Sequence, residues 1–322
     1  MDRRVLFQPV VRAAALALTL LPVAVMAAPK VVVSLKPLEL LVRAIATEDT
    51  TVTTLVGPGA KPHNFSMKPS QRRALEEADV VFWVGPEMET FMTRLMAGEE
   101  FSARSHAFMA NETEGATDKG HEDEHYEEAH HHHHNEHHDH GDGPDPHIWL
   151  DPLTSMDMAR EIHTVLKALP DADKASLDAN LMQFEQSLAN TEAQIRQQLE
   201  PARELSLFTY HNAFTHFAEH YDLPLVGVLT LNPELSPGAR HIAEVQNTLR
   251  HATRPCLMTE RPFNQDSWDP IVGDIAVSFS EWDPLGSDIT ADADGYIAFQ
   301  QSIAKAVLAC LATRARPEQA EW

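Results

Sequence analysis

The sequence is poor in basic residues and in long apolar runs, and each shortage excludes a class of protein. Its 322 residues include 25 Lys and Arg against 48 Asp and Glu, which gives a formal net charge of −23. A chain this acidic repels phosphate backbones, so nucleic acid is excluded as its main partner. Beyond the N-terminus there is no apolar run near the ~20 residues that a membrane span needs.

The N-terminus has the pattern of a secretory signal peptide, which we predict over residues 1–28. Arg3 and Arg4 precede an apolar run at 13–26, and small residues follow up to Ala28. A basic start, a short apolar run and a small-residue cleavage site are typical of export signals. The mature protein is therefore expected to be soluble and exported to the periplasm, with a retained signal anchor as the alternative.

The chain has only two cysteines, Cys256 and Cys310. In an oxidising compartment such a pair favours one disulfide over a metal site or a catalytic thiol. The bond would close a loop of about 55 residues, which a loop-entropy treatment values at about 4 kcal/mol. We expect it to stabilise the C-terminal half.

Short apolar stretches alternate with segments of helix length in both halves of the chain. The strand-like stretches are residues 30–35, 51–56, 80–84, 206–210, 224–229, 256–259 and 275–279. This alternation is typical of parallel βα units. We therefore predict an α/β fold of two lobes with parallel sheets, an N-terminal lobe at 29–170 and a C-terminal lobe at 204–322.

A long helix is predicted between the two halves, in a linking segment at 171–203. Apolar residues recur at three-and-four spacing from Leu177 to Leu199, and Pro201 ends the pattern. Thirty helical residues would extend about 45 Å. We interpret this helix as a rigid link between the lobes rather than as an ordinary surface helix.

Residues 111–146 form an acidic, histidine-rich insertion in the N-terminal lobe. Its histidines are His121, His125, His130, His131, His132, His133, His134, His137, His138 and His140. With almost no aliphatic residues, the segment cannot offset the entropy cost of ordering and is predicted to be a mobile loop. Because imidazole binds zinc, nickel and copper ions, we expect it to bind several ions weakly.

Three other histidines lie at predicted ends of strands or turns, where rigid elements could hold a tight metal site. His63 follows the second strand, His147 stands where the acidic loop re-enters the fold, and His211 ends the first strand of the second half. Ligands of open α/β sheets gather at the carboxyl ends of the strands. Two lobes that face each other would bring these imidazoles together.

Four blocks of sequence resemble the zinc-binding periplasmic component, of the ZnuA type, of bacterial ABC zinc uptake systems. These blocks are residues 62–70, 145–152, 210–214 and 282–286. Their order and the acidic insertion before the second block match as well, and the resemblance covers essentially the mature chain. It implies two α/β lobes joined by one long helix, with Zn²⁺ bound in the interlobe cleft by His63, His147 and His211.

The resemblance leaves the fourth zinc ligand open between Asp283 and water. Asp283 matches an aspartate that related members use, whereas some zinc binders have a Glu before the first histidine, where this chain has Pro62. Manganese-binding relatives replace the third histidine with Glu, so His211 favours zinc. The positions of Cys256 and Cys310 match a disulfide of the zinc-type members.

The function that the resemblance implies is high-affinity capture of Zn(II) and its delivery to an inner-membrane ABC permease, without enzymatic activity. We expect a monomer, and we consider a periplasmic accessory metal chaperone as a further partner. Two alternatives are an exported zinc hydrolase and a nickel or copper carrier of the same class. No predicted helix carries a His-Glu-x-x-His motif, which weighs against the hydrolase.

Three further expectations concern ligand chemistry. Glu260 follows a predicted strand and could orient a ligand histidine. His216 and His220 share a helix face and could hold a metal, but we favour the interpretation as a solvated amphipathic face. Imidazoles with an unperturbed pKa of about 6.5 predict a zinc affinity that falls steeply between about pH 7 and 5.

Overall fold

The computed structural model describes residues 28–109, 144–230, 237–260 and 268–312. Apart from Ala28, the predicted signal peptide lies outside the described residues, as do all ten histidines of the predicted acidic loop. Cleavage of the signal and mobility of the loop therefore stay predictions.

Two parallel four-stranded sheets confirm the predicted α/β fold. The strands of the first sheet are β1 (Lys30–Val33), β2 (Thr51–Thr54), β3 (Val80–Trp83) and β4 (Ser105–Ala107). Those of the second are β5 (Ser206–His211), β6 (Leu225–Thr230), β7 (Pro255–Glu260) and β8 (Ser278–Trp282). Their spatial orders, β2-β1-β3-β4 and β6-β5-β7-β8, follow the same pattern in both sheets.

Helices connect and cover these strands. They are α1 (Lys36–Ile45), α2 (Pro69–Glu77), α3 (Thr90–Met96), α4 (Pro152–Ala168), α5 (Lys174–Leu199), α6 (Thr215–His220), α7 (Ala239–His251), α8 (Asp269–Val272) and α9 (Gly295–Ala312). Short 3-10 turns occur at Pro62–Asn64, Ile148–Leu150 and Glu200–Glu204.

The predicted linking helix is α5, which lies within the segment 171–203. It begins where the Asp173 carboxylate accepts the N–H of Ser176 at 3.1 Å, and it passes into the 3-10 turn that contains Pro201. α5 packs against α1 and α4, which precede it in the chain, and against α9, which follows it. One helix therefore contacts elements from both halves of the chain, while the domain boundaries stay a prediction.

α9 has the length and hydropathy of a short membrane span, and it is the one such helix among the described residues. Half of it is buried inside the protein, and Tyr296, Phe299 and Ile303 belong to the same apolar cluster as residues of α1 and α5. This burial is the pattern of a core helix. The cluster extends across both halves and joins them through a continuous apolar core.

The structure confirms the disulfide between Cys256 and Cys310. It joins the start of β7 to the end of α9, with the two Cα atoms 5.8 Å apart. Both residues are buried. The bond therefore ties α9 to an inner strand of the second sheet.

Candidate metal centre

His63, His147 and His211 converge on one point, although they are far apart in the chain. One ring nitrogen from each lies within 4.8 Å of those of the other two. The Nε2 atoms of His147 and His211 are 3.4 Å apart. Two nitrogens at about 2.1 Å from a tetrahedral zinc ion would also be about 3.4 Å apart, so this pair already has the spacing of zinc ligands.

The sheet register places His211 beside a carboxylate. β5 ends at His211 and its neighbour β7 ends at Glu260; Thr209 pairs with Met258, so two residues later the strand ends meet. Glu260 Oε1 accepts the His211 backbone N–H at 3.4 Å, and Oε2 contacts Nδ1 without the alignment of a hydrogen bond. With Nδ1 facing this buried carboxylate, Nε2 is left for an ion.

A second carboxylate orients His147 in the same way. Asp145 Oδ1 accepts the backbone N–H of His147 at 3.0 Å and lies 2.7 Å from its Nδ1. Burial acts to raise the pKa of the Asp145 carboxyl, but the hydrogen bond and charge of His147 outweigh it and lower that pKa. Asp145 is therefore ionised at neutral pH and holds Nδ1, which again leaves Nε2 for an ion.

Short turns fix the backbone at His147 and His63. His147 precedes the 3-10 turn Ile148–Leu150, which leads into α4, and Asp151 caps that helix by accepting the N–H groups of Leu153 and Thr154 at 2.6 and 3.0 Å. His63 lies in the turn Pro62–Asn64, where the proline presets the first backbone angle. His63 is only half-buried, so it is the least enclosed of the three imidazoles.

Burial favours the neutral, metal-binding form of His63 and His147. Desolvation, together with repulsion from the rings of His147 and His211, lowers the pKa of His63 to about 4. Burial also lowers the pKa of His147 against the opposing effect of Asp145. Because only a neutral imidazole binds a metal ion, both shifts favour metal over protons.

Asp283 is not part of the group formed by the three histidines. Its Oδ1 accepts the N–H of Leu285 and its Oδ2 that of Ser287, both at 2.8 Å. The carboxylate thus closes the turn that follows β8. The three-histidine group leaves a fourth position for water or for another oxygen ligand.

The interpretation of His216 and His220 as a solvated face is wrong. His216 Nε2 lies 3.1 Å from the backbone oxygen of Asp145, and so contacts the residue that orients His147. The side chain of His220 is only 6% exposed and contacts Glu192 at 3.1 Å. Their helical spacing was visible in the sequence, but their partners lie on distant segments.

The chain is similar to known zinc-uptake proteins over most of its length. The family model described as zinc-uptake complex component A, periplasmic, matches residues 31–310. The high-affinity zinc uptake system protein ZnuA of Yersinia pestis is 33% identical over 296 residues, which cover 89% of this chain and 92% of that protein. Its counterpart in Haemophilus ducreyi is 30% identical over 302 residues, covering 92% of this chain and 97% of that protein.

Solved structures show the same fold. A crystal structure of ZnuA superposes with a TM-score of 0.65 at 23% identity and covers 87% of this chain and 99% of its own. The periplasmic zinc-binding protein TroA of Treponema pallidum has a TM-score of 0.66 at 18% identity, covering 90% and 100%. Because the family match spans both sheets and all three converging histidines, the chain belongs to the ZnuA family of periplasmic zinc-uptake components.

Proposed function

We propose that this protein captures Zn²⁺ with high affinity in the periplasm and delivers it to an inner-membrane ABC permease. The convergence of His63, His147 and His211, with two Nε2 atoms at the spacing of zinc ligands, is the observation that carries the proposal. The relatives from Yersinia and Haemophilus are zinc uptake proteins. Membership of their family favours a transport component over a hydrolase.

The proposed tight site binds one Zn²⁺ through three imidazoles, and water or Asp283 completes a tetrahedron. Neutral nitrogen ligands suit zinc better than they suit the harder Mn²⁺. Anomalous scattering at the zinc edge, from crystals of the protein with one equivalent of zinc, tests the site. We expect a single peak among the three rings, and a principal peak elsewhere would contradict the proposal. Parallel titrations with Ni²⁺ and Cu²⁺ test the alternative cargoes.

We predict that acid weakens zinc binding at lower pH than the unperturbed histidine pKa implies. With a pKa of about 4, His63 is still about 90% neutral at pH 5, whereas free imidazole would be about 3% neutral. The His63 contribution to the loss of affinity is therefore expected below about pH 5. The metal-free fold should lose stability as pH falls from about 6.5 through 4, because the unfolded chain binds this proton first.

Two measurements test this pH dependence. NMR titration of the metal-free protein should give a midpoint near pH 4 for the His63 ring. The contribution of His63 to the zinc affinity, measured by competition titrations at a series of pH values, should be lost over the same pH range. A His63 midpoint near 6.5 would contradict the effect of burial.

Replacing Glu260 by glutamine is expected to weaken zinc binding roughly 10- to 100-fold, as loss of a ligand's orienting partner does elsewhere. The change keeps the size of the side chain but removes the charge that faces His211 Nδ1. Chelator competition measures the affinity. The matched control is Glu244→Gln on the exposed face of α7, which should bind zinc like the wild type.

We also propose that the acidic histidine loop is a separate set of weak sites that raises the local zinc concentration beside the tight site. Deleting residues 114–142 is expected to leave one tight zinc ion per chain and to remove the weaker ones. Calorimetric titration of both forms counts the ions. If the tight site disappeared with the loop, the two classes of site would not be separate.

Export, oligomeric state and partners complete the proposal. Cleavage after Ala28 predicts that Pro29 is the first residue of the exported protein, which N-terminal sequencing reads directly. A mass in solution near that of one chain would support a monomer. Cross-linking in periplasmic extracts, with and without the loop, tests for an accessory metal chaperone.

A further inference from the structure

The segment that carries His147 is held by the other half of the chain. Residues 145–151 precede α4, yet every long-range hydrogen bond described for them goes to a residue after α5. His216 Nε2 contacts the backbone oxygen of Asp145 at 3.1 Å. Trp149 Nε1 donates to the backbone oxygen of Pro284 at 2.8 Å.

Two residues of α9 provide further hydrogen bonds to this segment. Tyr296 and Gln300, one helical turn apart, are both fully buried. The Tyr296 hydroxyl donates to the backbone oxygen of Trp149 at 2.8 Å. Gln300 Nε2 donates to the backbone oxygen of Leu150 at 3.4 Å and to the Tyr296 hydroxyl at 2.7 Å. Buried groups of this kind are costly to separate, so they fix the backbone that they bind.

The bound carbonyl groups are close to His147 in the chain. Trp149 and Leu150 belong to the 3-10 turn that starts directly after His147, and Leu150 N–H donates to the His147 backbone oxygen at 3.1 Å. A shift of this turn would therefore displace the His147 ring. The 3.4 Å separation from His211 Nε2 depends on where α9 holds the turn.

We propose that Tyr296 and Gln300 are positioning residues for zinc, which hold the 148–150 turn so that His147 meets His211 at the ion. The inference rests on the proposed function. It makes His147 and His211 one preformed pair, because the turn after His147 is held by α9 although His147 itself comes from the first half of the chain. His63 lies on a separate segment, the turn between β2 and α2.

Tyr296→Phe tests the proposal, because it removes the hydroxyl and keeps the buried ring. The Trp149 oxygen retains the Ser155 hydroxyl, 3.1 Å away, so the chain should still fold. Zinc affinity of the full mature chain, measured by chelator competition, is expected to fall about tenfold. The matched control is Tyr221→Phe, since Tyr221 is equally buried and its hydroxyl has no hydrogen-bond partner among the described residues.

A double-mutant cycle separates positioning from a general structural role. Adding Tyr296→Phe to His147→Ala is expected to cost no further zinc affinity, whereas adding it to His63→Ala should still cost about tenfold. Wild-type affinity in Tyr296→Phe, or an equal loss in both backgrounds, would overturn the inference. Absence of tight zinc binding in the wild type would instead refute the proposed function.

Discussion

Replacing His147 by alanine is expected to weaken zinc binding at the tight site by at least about a hundredfold. Loss of a residue that only orients a ligand costs roughly 10- to 100-fold, so loss of the ligand itself should reach or exceed the upper end. His147 is 5% exposed, and its Nε2 lies 3.4 Å from His211 Nε2, which is the separation expected of two zinc ligands. Competition with a chelator at neutral pH measures the change.

The matched control for this change is His251→Ala. His251 is exposed at the end of α7, where its Nδ1 lies 2.8 Å from the backbone oxygen of Asn247. The control removes one imidazole from the surface and should leave the zinc affinity unchanged. If both variants bound zinc like the wild type, the three-histidine site would be refuted, provided that circular dichroism shows both to be folded.

Removing the disulfide is expected to lower the free energy of unfolding by about 4 kcal/mol. The bond spans 54 positions in the chain, and opening a loop of that length restores about this much entropy to the unfolded state. Both Cys256 and Cys310 are replaced by alanine rather than serine, because a serine hydroxyl would be buried at these positions. Denaturant unfolding of the metal-free protein measures the loss.

Zinc affinity is expected to change little in the same double variant. Cys256 lies at the start of β7, and Glu260 lies four residues later, about 13 Å away along an extended strand. Wild-type protein unfolded in the presence of a reductant should match the variant closely. Equal stability of the variant and the oxidised wild type would mean that the cysteines are not bonded in solution.

Elements with a strong local pattern could be predicted from sequence. The apolar stretches of β1, β3 and β7 and the three-and-four spacing of α5 are encoded by neighbouring residues, and the structure has these elements where the patterns are. β4 was missed because its three residues, Ser105–Ala107, are half-buried and have no apolar run. The expectation of no apolar run of span length beyond the N-terminus is wrong for α9, and only the burial of this helix identifies it as part of the core.

The residue types of the candidate site could also be predicted from sequence, because imidazoles at strand ends already indicate a transition-metal ion such as zinc, nickel or copper. The resemblance to zinc-uptake proteins rests on short blocks around His63, His147, His211 and Asp283. Neither local patterns nor these blocks state which side chains touch. The orienting role of Glu260 could therefore be stated only as a hypothesis. The contacts of Asp145 and His216 at the site could not be predicted from sequence at all.

Those contacts depend on how distant segments are placed against each other. The register of β5 against β7 brings Glu260 to His211, and α9 holds the turn after His147. The turn after β8 engages both oxygens of Asp283. Burial, which lowers the pKa of His63, likewise arises only when the lobes meet. Composition and local periodicity thus specify the ligand chemistry and the elements, whereas long-range packing decides how each imidazole is oriented and how readily His63 and His147 accept a proton.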